Sequence, residues 1–317
     1  MSTGAVTIRP PRIKRGETLG IVAPAGPIKV DKFKAGLARL GDAFRLRVAD
    51  SVTAPHPPEV PSYLSASDDV RVGELNAMLN DRDVRAILLA RGGYGLTRIL
   101  PRLDVDALRR DPKPIIGFSD ATALLAWAHA AGVRGIHGPM VVQMSVLSDA
   151  DIAYLIELVS EARVPGLRPW RLAAHGKGRY RGPLVPANLT MLSLLVGTPW
   201  QLPVRGSITM IEEVGEKPYE LDRYLTHLAL TGELAKTSAV IVGDLTRCTD
   251  PNPPTGVPDP ADAALRTILE RLHAAGTPAG VGAPVGHGDR NEAIPFGADA
   301  ILDLDAGTLE ITEAAVD

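Results

Sequence analysis

A chain of 317 residues, 45% hydrophobic and 22% charged, is long enough for two domains and has the balance of a globular protein with a sizeable core. Its formal charge of −3 excludes the basic surface excess that a nucleic-acid backbone selects, and 4% aromatic residues leave little to stack single-stranded bases. Cys248 is the only cysteine, which rules out an internal disulfide and a cysteine-built metal cluster and fits a reducing compartment. No stretch reaches the roughly 18 consecutive apolar residues of a membrane span, and the N-terminus carries charges and prolines in place of an apolar run. The expectation is a cytoplasmic protein with no membrane or nucleic-acid partner and a loosely ordered first dozen residues.

In chain order, the first half alternates short apolar runs with helical stretches, the sequence form of a parallel sheet covered by helices. Leu19 to Ala23 reads as a strand ending in the turn Pro24-Ala25-Gly26-Pro27; Asp31 caps a helix to about Ala43; Arg45 to Ala49 is a second strand. A loop with four prolines fills 51–67. Capping residues Ser67-Asp68-Asp69 then open a helix with Val72, Leu75, Met78 and Leu79 on one face. Val84 to Ala90 is a buried strand that runs into Arg91-Gly92-Gly93-Tyr94-Gly95, where glycines let backbone N–H groups converge on an anion. Such a cluster at a strand's carboxyl end stands where open α/β sheets place ligands.

The next strand and helix, Pro114 to Gly132, hold Ser119 at their joint in Gly117-Phe118-Ser119-Asp120-Ala121, a G-x-S-x-A form of the nucleophile elbow. A hydroxyl there stands above the sheet beside the free N–H groups of a helix start, so nucleophile and anion site come together. An ordinary N-cap serine is the alternative reading. Gly135 to Pro139 makes a further rim loop. From Val164 to Arg181, prolines and glycines interleave with basic residues, a composition expected of a solvated linker. Beyond it come helix 189–196, strand 207–212, helix 218–231, strand 239–245, a proline-rich loop 250–260, helix 261–275, strand 279–282 and short final strands. The expected class is α/β in two domains: a Rossmann-like parallel sheet over 1–163, the linker 164–181, and a mixed domain over 182–317.

Ser119 needs a base, and histidine suits that near neutrality. Of seven histidines only His137 and His287 lie in glycine-flanked loops, with His287 in Gly286-His287-Gly288 favoured. An orienting carboxylate is sought at the end of the apolar strand that runs into Glu212-Glu213. Alternation sends the two acids to opposite faces, so one serves at most; the other, with Glu216 and Glu220, is expected on the solvated surface. Tyr94, Thr122, Asn188 and Arg223 are candidate substrate-pocket residues, and Arg223 is equally placed to pair with Glu220 on its helix.

These segments together resemble the LD-carboxypeptidase family of serine peptidases, which includes the microcin C self-immunity peptidases. The resemblance is carried by residues 20–26, Arg91-Gly92-Gly93-Tyr94-Gly95, Gly117 to Leu124, His137-Gly138-Pro139, Ile211 to Arg223 and Gly286-His287-Gly288. It implies a triad of Ser119 as nucleophile, His287 as base then acid, and Glu212 as orienting carboxylate. The oxyanion hole would be backbone N–H groups of Gly92, Gly93 and Asp120. It further implies a barrel-like second domain, a homodimer, no metal or organic cofactor, and a muropeptide substrate that loses its terminal D-alanine in the cytoplasm. A microcin-type aminoacyl adenylate is the alternative substrate. The chain departs from the family at Pro186-Ala187-Asn188-Leu189, where Gly-Gly-Asn-Leu is frequent. Two rival readings are a non-enzymatic peptide-binding α/β protein and a general α/β-hydrolase; a His-Gly-Gly-Gly loop, expected of the latter, is absent.

Overall fold

The computed structural model describes residues 7–254, 256 and 259–317, and the chain forms two compact units. The first comprises residues 1–164 with the returning segments 292–297 and 314–317; the second comprises 165–291 and 298–313. Expected residues 1–6, and residues 255, 257 and 258 of the proline-rich loop, lie outside the described residues.

In the first unit a six-stranded sheet runs in the order Ile294–Pro295, Ile136–His137, Ile115–Gly117, Val84–Leu89, Thr18–Val22, Arg45–Val48. Its neighbours are parallel except for the antiparallel edge strand Ile294–Pro295. Val84–Leu89 is buried at five of six positions because helices cover both faces of a central parallel strand, whereas Arg45–Val48 has no buried position. Ser67 caps helix Asp68–Asn80 by accepting from the Val70 N–H, as the capping pattern predicts. Asp31 does not cap its helix. Val30–Leu40 starts after Lys29, and Asp31 sits in the first turn, where its charge complements the helix dipole.

The N-terminal segment is more ordered than its composition suggests over the residues described. Ile8 bridges Val133, the Arg12 N–H donates to the Asp317 carbonyl, the Asp317 N–H donates to the Pro10 carbonyl, and Arg9 pairs with the Asp317 carboxylate at 2.7 Å. Its charges and prolines hid a partner supplied by the other end of the chain.

The second unit is a mixed eight-stranded sheet, curled as a half-barrel, in the order Gly166–Leu167, Thr308–Ile311, Asp299–Asp303, Arg179–Asn188, Ile208–Val214, Ala239–Thr246, Ala279–Val281, Ala173–His175. The segment expected as linker, 164–181, thus supplies both edge strands and the start of a long central one. Glycine, proline and arginine suit short exposed edges, which is why the composition read as connector. Helices Leu189–Leu194, Pro218–Leu230 and Ala263–Ala274 fall close to their expected bounds.

A buried arginine ties together the loops at the carboxyl end of the first sheet. Arg71, with no exposed side-chain surface, donates to the carbonyls of Pro24 and Gly95 (3.0 Å for the latter) and pairs with Asp68. A Cβ at Gly95 would lie 2.7 Å from the Arg71 Nη1, so the clamp requires glycine there. Arg71→Met keeps the stem but leaves two carbonyls without their charged donor. The expected loss is about 2–4 kcal/mol of unfolding free energy in urea titration; an unchanged midpoint would show the clamp to be idle.

Candidate active-site residues

Strand Ile115–Gly117 ends in extended Phe118, and the chain then turns at Ser119, whose φ is +62°. A non-glycine residue in the left-handed region costs roughly 1–3 kcal/mol and is over-represented at functional sites. Among the described residues only Arg247 shares the property. The elbow is built from small residues: a Cβ at Gly117 would lie 2.8 Å from the Ala121 Cβ, so the two positions share one tight space. Helix Thr122–Ala130 follows. Ser119 is not its N-cap. No helix N–H is held by its side chain, and within its unit the hydroxyl makes no hydrogen bond.

The glycine cluster faces that hydroxyl. A Cβ at Gly92 would fall 3.0 Å from the Ser119 Cβ and 3.1 Å from its Oγ, so a larger residue would crowd the hydroxyl. Gly93, at φ +116°, packs on Gly26, whose N–H donates to the Gly92 carbonyl at 3.0 Å. Among the described residues the N–H groups of Gly92 and Gly93 have no acceptor in this unit. Asp120 lies in the first turn after the elbow, where backbone N–H groups have no intrahelical partner. Its buried carboxylate accepts from the Leu96 N–H at 2.9 Å and so anchors the end of the glycine loop. Burial pushes that carboxyl up to about 6, against the Leu96 hydrogen bond and the charge of Arg71.

The other candidates of this unit divide. Tyr94 is 48% exposed and meets Tyr63 edge-on at 5.7 Å, whereas Thr122 is fully buried and cannot line an open pocket. His137, the alternative base, is fully buried on its strand with its ring edge-on to Phe118.

In the second unit Glu212, near the end of strand Ile208–Val214, accepts a 2.6 Å hydrogen bond from or shares a proton with His287 Nδ1. The carboxylate is 1% exposed and the imidazole 19%. The flanking glycines are demanded by packing: at Gly286, φ +137°, a Cβ would meet the Asp244 and Glu212 Cβ atoms at 2.9 and 3.1 Å. A Cβ at Gly288 would press on the Asp244 carboxylate. Burial opposes charge on His287, but Glu212, Glu213 and Asp244 outweigh it and raise its basicity. Burial likewise raises Glu212 above the usual carboxylate range, with the His287 contact opposing.

Asp244 escaped the sequence reading although it ends an apolar strand just as Glu212 does. Glu213, expected on the surface, is buried and accepts four hydrogen bonds at 2.8 Å, from Asn188 Nδ2, the Thr190 N–H, the Thr190 hydroxyl and the Val214 N–H. Asn188 is buried, caps helix Leu189–Leu194 through the Met191 N–H, and lies in register with Glu212. Its work is internal. Glu216 accepts from the Tyr224 hydroxyl and Glu220 closes a capping box with Lys217. Arg223 is exposed and stacks over Tyr219 at 5.3 Å; Glu220 is engaged with Lys217 and Tyr219.

Residues 19–138 match the LD-carboxypeptidase N-terminal domain, and residues 181–302 match the LD-carboxypeptidase C-terminal domain. The murein tetrapeptide carboxypeptidase of Pseudomonas aeruginosa is 32% identical over 90% of this chain and 92% of its own. A Bacillus subtilis protein named "Probable murein peptide carboxypeptidase" is 30% identical over 98% and 96%. The solved microcin C7 self-immunity protein in complex with aspartyl sulfamoyl adenosine superposes with TM-score 0.86 at 23% identity, covering 98% of this chain and 100% of that one, a likeness of fold.

The acidic surroundings of His287 give a direct test by NMR titration of its imidazole. Its apparent pKa is expected above the ordinary ~6.5 and about one unit lower in Glu212→Gln. The folded value of His287 being raised, its protonation contributes stability that is fully present below pH ~6.5, while Glu212 stays ionised, and that is lost as pH climbs through the folded value. An unperturbed titration in both proteins would refute the coupling.

Proposed function

The chain belongs to the LD-carboxypeptidase family of serine peptidases, and from that premise we propose that it hydrolyses the amide joining a terminal D-alanine to the L-centre of a diamino acid in murein tetrapeptides. Ser119 attacks the scissile carbonyl while His287 takes its proton, then returns it to the departing amine. Glu212 holds the imidazole in the right tautomer and stabilises its charged form. The oxyanion is met by the N–H groups of Gly92, Gly93 and Asp120. Water, activated by the same imidazole, releases the acyl group.

The observation that carries this reading is the strained, unbonded Ser119 packed against Gly92, in a glycine turn whose N–H groups have no acceptor within the unit. Within its own unit no histidine suits it as a base. His129 is driven down to about 4 by burial and by Arg134, His56 is bonded to the Leu64 carbonyl, and His137 is sealed in the core. The Glu212–His287 pair supplies what is missing. The substrate class follows the murein-peptide names of relatives at 30–32% identity. The self-immunity likeness favours a second substrate, an aminoacyl sulfamoyl adenosine. In this reading the protein works in the cytoplasm as a homodimer, which sedimentation of the purified chain checks.

Both substrates offered side by side decide between them. Release of D-alanine from the tetrapeptide is expected, with kcat/KM falling about ten-thousandfold or more in Ser119→Ala. Residues acting as one unit are strongly non-additive, so Ser119→Ala/His287→Ala should be no slower than Ser119→Ala alone. Since the base must be neutral, kcat/KM should rise with pH through a value above the ordinary imidazole range. Undiminished turnover by Ser119→Ala would remove the nucleophile.

A further inference from the structure

We propose that a cavity over the carboxyl ends of strands Thr18–Val22 and Arg45–Val48 is a second substrate subsite, which takes the neutral lactoyl-sugar end of the muropeptide. The proposal rests on the reading of the site given above. The cavity, about 350 Å³, lies wholly within the first unit. Its wall is mixed, with Ile28, Val30, Val52 and Pro55 making the apolar part. Of its polar side chains, Ser51 donates to Glu74, Ser65 to the Ala23 carbonyl, and His56 is bonded to the Leu64 carbonyl. Thr53 keeps an unengaged hydroxyl. No Asp, Glu, Lys or Arg lines it among the described residues. A phosphate or carboxylate would find no counter-charge there and would lose its hydration. A methyl-bearing lactoyl or L-alanyl group and the apolar face of a sugar ring fit such a wall.

Continuity with the nucleophile fixes which end of the substrate arrives. Pro27, on the cavity wall, follows Gly26, which packs on Gly92 and Gly93; Gly92 in turn abuts Ser119. Arg91 locks this turn by donating to the Pro27 carbonyl. Ser119 follows strand Ile115–Gly117, and one strand, Val84–Leu89, separates that from Thr18–Val22. At ~4.8 Å per strand the cavity centre lies two to three spacings from the nucleophile, roughly 10–14 Å along the edge. The three peptide residues on the acyl side of the scissile bond extend about 10 Å. The fourth group, the lactoyl-sugar end, therefore reaches the cavity.

The test compares a disaccharide tetrapeptide with an N-acetylated dipeptide that ends in the same diamino acid and D-alanine. Ala54, an exposed wall residue, is changed to Trp to fill the cavity, and Ile28→Asp, made separately, places a charge in the wall. Each variant is expected to raise KM for the long substrate about tenfold while the short one stays within twofold. Equal effects on both substrates, or none, overturn the subsite. Calorimetric binding of the disaccharide tripeptide, which needs no turnover, answers independently. About tenfold weaker binding by Ala54→Trp supports the subsite and unchanged binding removes it. Wild-type failure to release D-alanine from either substrate would instead overturn the function proposed above.

Discussion

The left-handed turn at Ser119 is the constraint around which the first unit is organised. A strand that ends in extended Phe118 and must enter a helix within a few residues reverses direction at a single position. Serine there stands at φ +62°, with a local cost that the buried parallel sheet beneath it outweighs. The neighbours follow from the turn. A Cβ at Gly117 would lie 2.8 Å from that of Ala121, and one at Gly92 would come within 3.1 Å of the Ser119 hydroxyl, so small residues suit these positions. Arg71 and Asp120, both buried, then hold the glycine loop by backbone hydrogen bonds, so charge in the core is spent on positioning.

The second unit shows the opposite use of buried charge. Glu212 and Glu213 are adjacent and equally withdrawn from water, yet their partners differ. Glu213 accepts four hydrogen bonds, enough to fill the sites a carboxylate offers, and so acts as a brace for Asn188 and the start of helix Leu189–Leu194. Glu212 directs its charge at an imidazole that keeps 19% of its surface open. Saturation suits Glu213 to bracing, whereas Glu212 keeps a titratable partner.

Most of the architecture could be read from the chain because parallel strands buried on both faces announce themselves as unbroken apolar runs, and capping serines such as Ser67 mark where helices begin. The elbow, the glycine loop and the His287 loop were legible for the same reason: their glycines are tied to steric contacts that no other residue satisfies. What stayed hidden depends on partners distant in sequence. The arginine- and glycine-rich stretch 164–181 looks like a connector until the strands it joins, Thr308–Ile311 and Ala279–Val281, are present. Arg71 drew no notice in the sequence because its acceptors, the carbonyls of Pro24 and Gly95, come from loops on other strands. Asn188 and Thr122 look available in sequence, but tertiary packing closes over both.

The two halves of the proposed chemistry are each prepared in advance but chemically incomplete. A hydroxyl with no base cannot become an effective nucleophile near neutrality, and an imidazole with a carboxylate has no acyl acceptor of its own. The serine and its glycine N–H groups belong to one unit and the raised-pKa imidazole to the other, so each is built by its own packing. The oxyanion donors need a site free of competing negative charge, whereas the imidazole needs carboxylates close by to hold the proton it takes. Three acids act on His287, while Asp120, the acid beside the elbow, is pushed up to about 6 by burial, still ionises near neutrality, and is held by the Leu96 N–H.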